Sequence, residues 1–155
     1  MDAQAYQLDA PLLAEADTEA RQLGHPYLGP EHLLLAVAAH ANGASGAFLD
    51  RHGLTAQALR DSVAAVLGPT AQPEGAPRGP RKISLRSLVA LGHAVSAGRQ
   101  RGRSTAYTPD DLLLALLADD VAPDAVVGAV FARAGLTAAS ARAEVATLAA
   151  GDAAT

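Results

Sequence analysis

Two acids stand where a helix begins. Glu31 follows Pro30 and Asp110 follows Pro109, ahead of Leu33-Leu34-Leu35 in one place and Leu112-Leu113-Leu114 in the other. Proline suits the first position of a helix, so both carboxylates fall in a first turn. Two roles are open to them there. A first-turn acid favours the helix dipole by about 0.3–1 kcal/mol, and Asp111 can complete a cap with Thr108. The same geometry can hold a guanidinium on the carboxylate while free backbone N–H groups meet an anion, which suits a ligand carrying both charges. His32, Asp111 and Thr108 are the supporting candidates.

The remaining inventory is poor in chemistry. The five histidines (His25, His32, His40, His52, His93) show no H-E-x-x-H or other ligand spacing. His32 and His40, eight apart, could share a helical face, but the pattern reads as lone surface histidines. There is no G-x-x-x-x-G-K-[ST] loop, and the single lysine, Lys82, is remote from any such motif. No G-x-S-x-G elbow exists, and without cysteine there is no thiol nucleophile. No catalytic residue, metal ligand or cofactor is expected, and an enzyme is the least favoured class.

The elements that must position the acids occur twice. Leu28-Gly29-Pro30-Glu31-His32-Leu33-Leu34-Leu35-Ala36-Val37 is echoed by Tyr107-Thr108-Pro109-Asp110-Asp111-Leu112-Leu113-Leu114-Ala115-Leu116 at an offset of 79 residues. Gly53-Leu54-Thr55-Ala56 returns as Gly135-Leu136-Thr137-Ala138 at an offset of 82. A repeat defines the building unit of a fold, and two units of short helices can cover each other's apolar faces.

Asp9 or Pro11 opens the first helix, carrying Leu12, Leu13, Ala16, Ala20 and Leu23 at helical spacing until Gly24 ends it. The second starts at Pro30. Ser45 is a plausible cap for a third reaching Arg51, and Thr55 caps a fourth to about Leu67. Residues 68–82 hold four prolines and three glycines and read as a linker. Ser84 caps a fifth helix with a stripe of Leu85, Leu88, Val89, Gly92 and Val95. Thr108 caps the sixth, a seventh lies near Asp124–Ala134, and the eighth runs from Thr137 to about Leu148, leaving a frayed tail at 151–155. The expectation is one all-α domain over 1–155, with repeat 1 at about 8–67 and repeat 2 at about 84–149.

Composition agrees with this. Half the residues are apolar but only 3% are aromatic, so the core is to be built from Leu, Val and Ala on closely spaced helices. The absence of cysteine and of a leader-like or membrane-length apolar run points to a cytoplasmic protein with no membrane contact. The net charge is −4, yet Arg78, Arg81, Lys82, Arg86, Arg99, Arg101 and Arg103 lie between Gly75 and Pro109 with no acid among them. That stretch could attract phosphates, although no aromatic side chains interleave the arginines for base stacking.

The run Leu23-Gly24-His25-Pro26-Tyr27-Leu28-Gly29-Pro30-Glu31-His32-Leu33-Leu34-Leu35, together with the Gly-Leu-Thr before the last helix of each copy, resembles the Clp repeat. This is the duplicated N-terminal domain of the Clp/Hsp100 ATPases, and the likeness is nearest to the ClpC and ClpA type over roughly residues 8–149. The resemblance implies an all-helical, pseudo-twofold pair of four-helix repeats. It implies recruitment of adaptors and substrates without chemistry, and recognition of phosphorylated arginine. Glu31 matches the family's phosphoarginine-binding glutamate. Asp110 takes the corresponding place in repeat 2, one methylene shorter, with Asp111 in place of the histidine, Ala106 in place of Tyr27 and Ser104 in place of His25.

The Ala-rich, Arg-over-Lys composition fits a stand-alone protein of actinobacterial type without the ATPase modules. The expectation is a non-catalytic binding protein, monomeric or weakly dimeric. It would take adaptors, phosphoarginine-marked substrates or small peptidic ligands, or meet a ClpC-type ATPase, and so modulate Clp-dependent proteolysis. Two alternatives stand beside it: a nucleic-acid-associated regulator using residues 78–103, and a structural dimerisation module.

Overall fold

A computed structural model describes residues 10–25, 27–41, 43–67, 82–100, 107–118 and 125–154. Eight helices are found among them. They are α1 (Ala10–Gln22), α2 (Pro30–His40), α3 (Gly43–Arg51), α4 (Ala56–Leu67), α5 (Leu85–Gln100), α6 (Pro109–Leu116), α7 (Ala125–Arg133) and α8 (Ala138–Ala154). A two-residue parallel bridge joins β1 (Tyr27–Leu28) to β2 (Lys82–Ile83), with Tyr27 opposite Lys82 and Leu28 opposite Ile83.

The helix contacts obey a pseudo-twofold that exchanges α1–α4 with α5–α8. The pair α1–α2 is matched by α5–α6, and α2–α4 by α6–α8. Across the boundary α3–α8 is matched by α4–α7 and α3–α6 by α2–α7, while α2 packs on α6 at the centre. One continuous core results, running from Leu12 and Leu13 through Leu33, Leu34 and Leu35 to Leu112, Leu113, Phe131 and Val145. Burial of that apolar surface is the main stabilising term, and neither four-helix set encloses it alone.

Polar ties reinforce the apolar contact. Glu19 of α1, 1% exposed, receives Arg60 of α4 through Nη2 at 2.6 Å and Nε at 2.9 Å. This bidentate hydrogen bonding to Glu19 raises the Arg60 pKa. Across the boundary Glu144 of α8 meets His52 Nε2 at 2.9 Å and Arg51 Nη1 at 3.2 Å. Phe48 and Phe131, both fully buried, approach with ring centroids 6.3 Å apart.

Several local expectations are met. Thr55 Oγ1 accepts from Ala58 N–H at 3.0 Å, Ser84 Oγ from Ser87 N–H at 3.2 Å and Thr108 Oγ1 from Asp111 N–H at 3.2 Å, each a side-chain cap. Others need correction. Ser45 does not cap α3; it lies inside the first turn and is fully buried. The α5 stripe is displaced: Leu85 is 76% exposed and Gly92 is exposed, whereas Ser87, Ala90, Leu91, Ala94 and Gly98 are buried. Small side chains let α5 approach α6 closely, so the larger Leu88, Val89 and Val95 fall on the half-buried flanks.

Helix α8 also runs on to Ala154 instead of ending near Leu148. The expected linker at 68–82 lies outside the described residues except Lys82, which belongs to β2. Of the basic stretch, Arg86 and Arg99 lie exposed on α5, whereas Arg78, Arg81, Arg101 and Arg103 lie outside the described residues.

Truncating the boundary aromatic tests whether the two halves share one core. Phe131→Ala should cost about 3–5 kcal/mol in urea unfolding. Leu85→Ala, at the exposed start of α5, should change stability by less than about 0.5 kcal/mol.

Candidate functional site

The start of α2 is built by the end of α1. Gly24 adopts φ 75°, a left-handed value that glycine takes without steric cost, and closes α1 with Gly24 N–H to Arg21 O and His25 N–H to Ala20 O at 2.9 Å. This turn brings His25 back against α2, where its Nδ1 lies 2.6 Å from His32 Nε2. His25 is 3% exposed and His32 fully buried. Burial disfavours the imidazolium and lowers the His25 pKa. Tyr27, 38% exposed, stacks on His25 at 5.9 Å between centroids and meets His32 edge-on at 5.7 Å. Neither His25 nor His32 is the surface histidine the sequence suggested; His40 does lie toward solvent, 3.9 Å from Glu15.

Gly29 is the N-cap of α2. It has no side chain to cap with, but its N–H donates to His32 Nδ1 at 2.8 Å, so His32 completes half of a capping box. In repeat 2 the same device is whole: Asp111 Oδ2 accepts from Thr108 N–H at 3.0 Å and Thr108 Oγ1 returns the bond. His32 and Asp111 are therefore equivalent in position and in work, and Asp111 closes the cap its sequence allowed.

Glu31, 2% exposed, folds back over Gly29. A Cβ on residue 29 would stand 2.6 Å from Glu31 Oε1, so a larger residue here would displace the Glu31 carboxylate, although its φ of −109° is ordinary. Repeat 2 resolves the same crowding differently, with Thr108 in place of the glycine and the shorter Asp110 in place of glutamate.

The Asp110 carboxylate leaves its own repeat. Its Oδ1 accepts from Ser45 N–H at 2.7 Å and so caps α3, the helix whose buried serine was expected to cap it. The pseudo-twofold relates the α6–α3 contact to the contact between α2, which carries Glu31, and α7. The two candidate acids thus occupy matching stations on opposite sides of the repeat boundary. Thr108 and Asp111 form the cap beneath Asp110, and His32 the cap beneath Glu31.

His25, Glu31 and His32 have ligand-type atoms within 4.8 Å of one another, all buried. Two imidazole nitrogens bound at about 2.0–2.1 Å to one tetrahedral ion lie about 3.3 Å apart. The 2.6 Å separation here is that of a hydrogen bond with a proton between the rings. The geometry is that of a hydrogen-bonded pair. No spacing rule signals it, because the partners are seven residues apart on either side of a loop.

A family model described as the Clp repeat (R) N-terminal domain matches residues 10–128. The chain belongs to this family. Among curated relatives, a ClpA homolog described as an ATP-dependent Clp protease ATP-binding subunit from Guillardia theta is 43% identical over 54 residues, 35% of the chain. The chloroplastic chaperone protein ClpC2 of Oryza sativa subsp. japonica is 40% identical over 58 residues, 37% of the chain. These matches take in 7% and 6% of the relatives' own lengths.

The fold is shared with solved Clp N-domains. The N-terminal domain of the caseinolytic protease-associated chaperone ClpD from Arabidopsis thaliana superposes with a TM-score of 0.67 at 19% identity, over 91% of each chain. The Hsp104 N-terminal domain from Candida albicans gives 0.64 at 20% identity, over 88% of this chain and 85% of that one. Among the described residues of this Clp repeat pair, no helix is long and apolar enough to cross a membrane.

Two outcomes follow for the site. Asp110→Ala should cost about 1 kcal/mol of unfolding free energy and speed exchange of the Ser45 amide, as loss of a helix cap does; unchanged stability would contradict the cap across the boundary. The second concerns pH. A neutral buried His25 with a lowered pKa binds fewer protons folded than unfolded, so its contribution is complete above the unfolded value of about 6.5 and is lost as pH falls through and below it. The unfolding free energy from urea titrations should fall between pH 7.5 and 5.5, by at most about 1.4 kcal/mol per pH unit, and His25→Gln should flatten the slope.

Proposed function

We propose that this chain is a non-catalytic protein-binding module of the Clp system, taking adaptors or substrates marked by phosphorylated arginine. Membership of the Clp repeat family supports the protein-binding role. The observation that carries the ligand class is Glu31, set by Pro30 at the start of α2 in the position of the family's phosphoarginine glutamate, with space made for it by Gly29.

A carboxylate at this station suits a guanidinium, and helix N-terminal N–H groups suit the phosphate it carries. Glu31 is buried, so a ligand reaches it by parting the seam between α2 and α7. The site belongs to repeat 1. In repeat 2 the matching acid is one methylene shorter and is bonded to the Ser45 amide, which favours a structural duty there. Binding without chemistry would let the chain compete with, or deliver to, the N-domain of a Clp ATPase. Adaptor, substrate and ATPase partners, and a cytoplasmic setting, belong to the same proposal.

Amide NMR during titration with free phosphoarginine tests it, with arginine and phosphoserine as controls. Saturable shifts at Glu31, Gly29 and the start of α7 are expected, with more than tenfold loss of affinity in Glu31→Gln and less than threefold change in Asp110→Asn. No shifts in the wild-type chain would overturn the ligand class and return both acids to helix capping.

A further inference from the structure

The protons of the His25–His32 pair are fixed by one backbone amide. Gly29 N–H donates to His32 Nδ1, so neutral His32 carries its proton on Nε2. That proton is donated to His25 Nδ1 at 2.6 Å, which leaves the His25 proton on Nε2. Every ring nitrogen is then either a donor or engaged as an acceptor, and both rings are neutral.

One further proton has a single place to go while the inter-ring bond is kept, and that place is His32 Nδ1. There it confronts the Gly29 N–H, donor against donor, and that contact must break. Glu31 Oε1 lies 3.8 Å from the same nitrogen. In the neutral pair this approach is no salt bridge, because Nδ1 holds no proton. In the protonated pair it becomes one after a small rotation.

We propose that the His25–His32 pair is a proton-operated latch on Glu31: protonation moves His32 Nδ1 from the Gly29 amide to the Glu31 carboxylate and withdraws that carboxylate from a cationic ligand. The regulation of ligand release rests on the Glu31 site described above; the movement of His32 does not. Burial of both rings disfavours the charged pair and keeps the latch open near neutrality.

Several charges on the surrounding elements are paired with one another. On α1, Glu15 approaches His40, Asp17 holds Arg21 and Glu19 holds Arg60 of α4. On α6, Asp110 bonds to Ser45 of α3 and Asp111 to Thr108. Arg86, His93 and Arg99 of α5, Asp61 of α4 and Arg133 of α7 are exposed, and at the end of α3 Arg51 and the following His52 turn to Glu144 of α8. Glu31 approaches the pair directly, its Oε1 3.8 Å from His32 Nδ1. Repeat 2 has no such device, since Ser104 and Asp111 replace the two rings.

Ring nitrogen and side-chain carboxyl NMR of the labelled full chain, from pH 8.0 to 4.5, tests the latch without any ligand. Both rings should show the Nε2–H tautomer at pH 8.0, and the Glu31 carboxyl and Gly29 amide should move at the same midpoint as the rings. Glu31→Gln should shift that midpoint to lower pH. A Glu31 carboxyl that stays still through the ring transition, or an Nδ1–H tautomer on either ring at pH 8.0, would overturn the latch.

A second arm measures phosphoarginine affinity in the cold at pH 7.5 and 5.5. The wild type should weaken severalfold more than His32→Asp, which keeps a cap without a titrating ring and should change by less than twofold. Equal weakening in both would overturn the link to ligand release. Absence of binding at pH 7.5 would instead count against the ligand class, leaving the spectra to decide the latch.

Discussion

The constraint on which the rest depends is that neither repeat can bury its own apolar surface. Helices α2 and α6 carry leucine on almost every side, with Leu33, Leu34 and Leu35 fully buried in one and Leu112, Leu113 and Leu116 in the other. A helix apolar all round needs neighbours all round, and four short helices do not supply them. The second repeat does, through α3 with α8, α4 with α7 and α2 with α6. With so few aromatic residues, the close approach is made by alanine and glycine, as on the buried face of α5.

The boundary created this way is where the unusual polar groups gather. Asp110 reaches over it to cap α3, and Glu144 crosses it to hold His52 and Arg51. A helix N-terminus facing a boundary carries unsatisfied N–H groups that water reaches poorly, so an acid from the opposite repeat is a natural solution. It also leaves a carboxylate beside a helix N-terminus, the arrangement that a ligand with a guanidinium and a phosphate can use. Capping and recognition are two uses of one geometry. Under the proposed function, Gly29 with Glu31 and Thr108 with Asp110 divide these two uses between the repeats.

Much of the fold was legible in the sequence because it was written twice. The repeat at offsets 79 and 82 located the helices, and Pro30, Pro109, Thr55, Ser84 and Thr108 marked their starts by local rules. What local rules could not supply was tertiary. Ser45 looked like a cap because serine caps helices, but the station was taken by Asp110 from 65 residues away. The α5 stripe was misplaced because large apolar residues were weighted over small ones. Glu31 and Asp110 were singled out as candidates from spacing, whereas the His25–His32 pair was missed: its partners meet only because Gly24 reverses the chain.

The claim that two repeats share one core is tested most directly by native-state hydrogen exchange at low denaturant. The slowest amides of α2, such as Leu35, and of α6, such as Leu114, should exchange with the same opening free energy and the same denaturant dependence, because both report unfolding of the whole domain. Two separate opening free energies, with one repeat exchanging while the other stays protected, would contradict a shared core.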